Sequence, residues 1–142
     1  MSMISKALLG LILALVLAAF AIVALGYGWV PALGNKYTET YFGEKPQGWV
    51  LWHASGWEDH KIFFVFTADG DWVRRAAQFG SLDEGGEMAR EDCLSAFNPP
   101  WWFIMSPRTQ GVCWKRREGY AGNLRIHYSP ESRFVYVFDY ST

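Results

Sequence analysis

At 142 residues, with 51% hydrophobic, 18% aromatic and 19% charged side chains, the chain has room for one ordinary domain and too much apolar mass for long intrinsic disorder. A formal net charge of −1 excludes a dedicated nucleic-acid binder, which needs a surplus of Lys and Arg to displace counterions from phosphates. The charge is unevenly spread: residues 37–92 carry five basic and eleven acidic side chains, residues 93–142 six basic and three acidic, so the two halves have opposite sign.

Residues 1–6 form a short head that ends in Lys6. From Ala7 to Gly34 no side chain is charged, and Ala7–Val30 covers 24 residues, about 36 Å as a helix, which crosses a hydrocarbon layer of about 30 Å with some tilt. Thirteen of those positions are Leu, Ile, Val or Phe, an insertion term of about −4 to −8 kcal/mol. Tyr27 and Trp29 fall where an interfacial aromatic belt belongs, and Pro31 with Gly34 is expected to end the helix. Residues 7–30 are therefore read as a single-pass transmembrane anchor whose partner is the lipid bilayer. The competing reading is a cleaved signal peptide, because Lys6 precedes the apolar run and small residues recur at Ala19, Ala21, Ala24 and Gly26. The length of the run favours the uncleaved anchor. A charged head before the run favours the N-terminus in the cytoplasm and the following domain in the periplasm or outside the cell.

Residues 31–48 read as a short membrane-proximal lead-in, with Gly43, Pro46 and Gly48 as breakers. Residues 49–142 are expected to form one extracytoplasmic α+β domain with a mainly antiparallel sheet and one or two helices. Within it, Trp49–His53 and Lys61–Thr67 have strand composition, the second apolar on both faces. Trp72–Phe79 fits a helix capped by Asp71 and followed by Gly80, or a hairpin at Asp69-Gly70. Ser81–Gly86 reads as a loop and Glu87–Phe97 as a helix stopped by Asn98-Pro99-Pro100.

Four strand-like runs then suggest an antiparallel meander: Trp101–Met105, Val112–Arg117, Leu124–Tyr128 and Arg133–Tyr140. A four-residue loop over Ser129–Ser132 would pair Tyr128 with Arg133, His127 with Phe134 and Arg125 with Tyr136. Phe134, Tyr136, Phe138 and Tyr140 then share one face, Leu124, Ile126, Val135 and Val137 the other. Periodicity does not say which is the core.

Cys93 and Cys113, the only cysteines, are expected to pair in an oxidising compartment and to remain buried thiols in a reducing one. Two cysteines without further ligands do not make a metal site. His53, Asp59 and His60 match no ligand spacing, and His127 beside Arg125 reads as structural. Nucleophile elbows, phosphate loops and zincin motifs are missing, and no cofactor is indicated. Lys115-Arg116-Arg117, with Arg108 and Arg125, makes a small basic patch suited to anionic headgroups or an acidic surface, or simply a solvated strand end.

Seven of the eight tryptophans follow the apolar run. They serve either as exposed stacking surface or as bulk for a small core. Trp101, Trp102, Trp114, Arg125 and Tyr136 are the candidate binding residues. The expected function is a membrane-anchored accessory or binding module that presents an aromatic sheet surface to a protein partner near the bilayer. A small cell-envelope enzyme acting on glycan or cell-wall material, using His127 or His60, and a structural subunit of a membrane complex are the alternatives.

Overall fold

The computed structural model describes residues 3–26, 31–46, 48, 50–55, 60–96, 99–104 and 109–141. Eleven elements run in the order α1 (Met3–Gly26), α2 (Pro31–Phe42), β1 (Leu51–Ser55), β2 (His60–Thr67), α3 (Gly70–Phe79), β3 (Leu82–Ala89), α4 (Arg90–Leu94), α5 (Trp101–Ile104), β4 (Gln110–Arg116), β5 (Arg125–Tyr128) and β6 (Phe134–Ser141). The α+β class holds, with a sheet of six antiparallel strands in the order β1-β2-β6-β5-β4-β3.

Helix α1 stands apart from the core. Its side chains are described over residues 6–22, and the large apolar ones from Leu8 to Ile22 are all 50–71% exposed. Among the described residues no helix is long and apolar enough to cross a membrane. The Tyr27 and Trp29 belt lies outside the described residues.

Pro31 starts a helix where the sequence suggested a stop. Its fixed φ suits the first helical turn, where no N–H is needed. The helix ends at Gly43, whose φ of +75° is the left-handed conformation favoured just past a helix end, and whose N–H bonds Glu39 O at 2.9 Å. What reads as a lead-in is thus α2, packed on one face of the sheet through Tyr37 against Trp52 and through Phe42 against Phe64 and Trp72.

Helix α3 joins α2 on that face. Asp69, not Asp71, caps it, accepting from Trp72 N at 2.7 Å. Trp72, Val73, Ala76 and Ala77 turn inward onto Phe64, Phe66, Ile126, Val135 and Val137. On the opposite face α4 and α5 cover Phe63, Val65, Cys113, Tyr136 and Phe138. Both faces of the sheet are therefore core. This explains the unbroken apolar run in β2, where Phe63 to Phe66 are all buried.

Three of the expected boundaries move. Leu82–Ala89 is an edge strand rather than a loop and helix start; its acids stay in solvent and the register breaks between Glu84 and Glu87, where Gly86 takes φ +86°. Charge and a bulge both blunt an edge. Helix α4 is consequently only Arg90–Leu94. Trp101–Ile104 is a helical turn rather than the first meander strand, with Phe103 N bonded to Pro100 O at 2.9 Å. The C-terminal meander is thus three-stranded, β4-β5-β6.

The last hairpin is displaced by two residues from expectation: Tyr128 pairs with Val135, His127 with Tyr136 and Arg125 with Phe138. Ser129 already belongs to the ladder, donating its N–H to Phe134 O at 3.0 Å, and Arg133 closes the turn at φ +60°. A shift of two restores every side chain to the face expected for it. Strand β6 lies between β2 and β5, with Val135, Tyr136, Val137 and Phe138 all buried.

Candidate functional site

The five candidate binding residues do not share a surface. Tyr136 is fully buried beneath Arg90, whose guanidinium carbon lies 4.8 Å from its ring centre, and beside Phe103. Trp102 is buried against Phe103, and the side chain of Trp101 lies outside the described residues. Arg125 is half-buried on the Tyr136 face, where its Nη1 donates to the carbonyls of Cys93 and Leu94 at 3.3 Å each and so holds the end of α4. Among the described side chains of the five, only Trp114 lies on the α3 face. Trp52, Trp72 and Trp102 are buried and Trp114 is half-buried, so these four supply core volume, as a small domain requires.

The Cys93–Cys113 disulfide is formed, with 5.6 Å between the Cα atoms. It ties α4 to β4, directly across from His127. His127 is buried, and its Nε2 sits 3.1 Å from the Met88 carbonyl. A carbonyl only accepts, so that nitrogen carries the proton. Burial holds the imidazole pKa below its usual value, opposed by the Met88 bond. Such a ring is fixed by backbone rather than by a carboxylate. Among the described residues no group of three or more His, Cys, Asp or Glu is placed to hold a metal ion.

A concavity does form at Trp114. Helix α3 covers the middle of the sheet, while β4 and β3 continue past it to the edge. The gap is a groove of about 180 Å³ floored by Val112, Trp114 and Tyr128 and walled by Val73, Arg74 and Glu84. Glu84 is the cross-strand partner of Trp114, and Arg74 is ion-paired with Asp71. Gly70 at the start of α3 lies beside Tyr128, close enough that a Cβ there would be in van der Waals contact with the ring. The Trp114 indole N–H is shielded from solvent and has no acceptor among the described residues. Two aromatic surfaces with one carboxylate and one guanidinium at the rim suit stacking and hydrogen bonding to a ligand or partner side chain. Tyr128 and Glu84 were not singled out from sequence. Alternation groups Tyr128 with Leu124 and Ile126, and the β4–β5 register puts that face with Trp114, but the placement of α3 over the sheet carries no local signal.

A second polar cluster closes the other end of this face. The Tyr41 phenol of α2 lies near the Asp139 carboxylate of β6, with the Arg116 charge nearby. Burial first, then the Asp139 carboxylate, push the Tyr41 phenol well above its usual range. The unfolded chain releases that proton near pH 10 while the folded chain retains it, so stability falls as pH climbs past about 10. Tyr41→Phe is expected to flatten this alkaline loss, measured as urea midpoints between about pH 9 and pH 11; a variant whose loss is as steep as that of the parent chain would refute the assignment.

Compared with known proteins, the chain matches no family model, no curated protein and no solved structure.

Proposed function

We propose that this chain is a membrane-anchored binding module: residues 7–30 hold it in the bilayer, and the disulfide-closed domain takes a protein partner near the membrane through the groove at Trp114. The observation that carries the reading is α1. Its apolar side chains from Leu8 to Ile22 are exposed on every side of the helix, and no charge falls between Ala7 and Gly34. A helix that is apolar all round is stable only inside a larger core or in lipid, and α1 is not part of either core cluster. The disulfide supports a domain on the oxidising side. The groove replaces the open aromatic sheet expected from sequence, since helices roof both faces of the sheet.

The test is made on the full chain expressed in a bacterial host. It is expected to stay in the membrane pellet after alkaline carbonate washing. Protease added to spheroplasts is expected to digest the domain, and thiol reagents to label it only after reduction. Recovery of the intact chain, α1 included, in the soluble fraction would end the anchored reading. Photo-crosslinking from position 114 is then expected to capture a discrete partner, and Glu84→Lys to reduce its yield.

A further inference from the structure

The strand ends opposite the β5–β6 turn hold an arrangement that the Trp114 groove does not use. The connection from β4 to β5 encloses a shallow pocket of about 260 Å³ bordered by Lys115, Arg117, Asn123 and Arg125. Gly119 and Gly122, at φ +90° and +85°, turn the chain there without adding side chains to the cavity. Lys115 and Arg125 are direct cross-strand partners, both half-buried. Like charges placed opposite each other destabilise a sheet. The neighbour that should relieve them is Asp83, partner of Lys115 on the other side. Arg117 occupies it instead, donating from Nε and Nη2 at 2.9–3.3 Å. Glu118 also borders the pocket but is exposed. Among the described residues no carboxylate lies within 4.0 Å of the Lys115 or Arg125 charged nitrogens. The two carbonyls that Arg125 holds carry only partial charge.

We propose that Lys115 and Arg125, with Arg117 at the rim and the Asn123 amide beside them, form a binding site for a phosphate-class oxyanion, a phosphate mono- or diester. The Nε–Nη2 edge of Arg125, whose Nη1 is the nitrogen that holds α4, matches two oxygens of such a group, and the Lys115 ammonium supplies a compact charge to a third. An anion seated over the two side chains offsets the repulsion between them. The ligand is either a lipid headgroup or a soluble phosphate ester; the recognition chemistry is the same. The site stands on the folded domain alone and does not depend on anchoring.

The experiment uses the full chain in zwitterionic detergent micelles, followed by tryptophan fluorescence during thermal unfolding. Inorganic phosphate is expected to raise the unfolding temperature relative to chloride at equal ionic strength. Lys115→Gln is expected to raise it without any anion, because the repulsion is gone, and to weaken the phosphate response about tenfold, the loss of one charge-assisted bond. Lys115→Arg should keep the response. A purely structural lysine predicts the opposite sign for Lys115→Gln in the absence of anion. Transfer to phosphatidylcholine vesicles with and without phosphatidylglycerol separates the sources: stabilisation by the anionic lipid but not by free phosphate identifies a headgroup, and the reverse a soluble ester. If neither anion stabilises the parent chain, or Lys115→Gln responds as the parent does, the site is refuted.

Discussion

Phe63→Ala is expected to cost about 3–5 kcal/mol of stability, the range for emptying a closed aromatic site. Phe63 has no solvent-accessible surface. Its ring stacks on Phe138 at 5.0 Å, meets the edge of Phe103 at 5.1 Å and lies 6.3 Å from the His53 ring. Truncation therefore removes contacts to β1, to the central strand β6 and to the helical turn that roofs them. Small domains retain only about 5–15 kcal/mol in total, so the loss takes a large share of what holds this one together. Urea titration in detergent would read it as a midpoint shift at nearly constant slope. A shift equivalent to less than about 1 kcal/mol would mean that the site is solvated rather than packed.

Breaking the Cys93–Cys113 bridge is the second large effect. The residues are 20 apart in sequence, and opening a loop of that size is expected to lower stability by about 3 kcal/mol through the freedom returned to the unfolded chain. The consequences in the folded state are local. Helix α4 has five residues, too few to persist without an anchor. Without the bridge it keeps Arg125 at its final carbonyls, the Arg90 N–H to Thr109 O at 3.2 Å, Arg90 over Tyr136 and the buried Leu94. Dithiothreitol, or Cys93→Ser with Cys113→Ser, should thus loosen α4 before the sheet opens. Amide exchange at Cys93, Leu94 and Ser95 should rise while that of β6 stays slow. Equal acceleration at both places would contradict the local picture.

How much of this was legible beforehand depended on whether the signal was local. The break at Ser129–Ser132, the apolar run of β2 and Gly80 after α3 are short-range features that fall on real elements, although Asp69 rather than Asp71 caps α3 and the hairpin register lies two residues from expectation. Pro31 and Gly43 carried a helix signal too, as N1 and C′ residues, but beside the apolar run they read as breakers. Strand β3 was hidden because an edge strand rich in Glu, Asp and Gly has the composition of a loop; only its pairing with β4 makes it a strand. Trp101–Ile104 misleads in the opposite way, since four bulky apolar residues suit a strand, yet they follow two prolines and close as one helical turn.

The site divides along the same line. Alternation fixed which side chains share a face, and the two-residue shift of the last hairpin preserved that assignment for Arg125, His127 and Tyr136. Whether a face is open depends on helices from distant parts of the chain, which is why Tyr136 and Trp102 prove to be interior while Trp114 borders a groove. The Lys115–Arg125 opposition, in contrast, follows from hairpin register alone.

The order of strands bears on how the molecule is made. Strand β6 follows every other described element and sits at the centre, joining β1-β2 on one side to β5-β4-β3 on the other. Until β6 has been made, the other five strands form two half-sheets, each with a bare hydrogen-bonding edge where β6 will join. Synthesis proceeds at about 5–20 residues per second, so this vulnerable interval lasts several seconds.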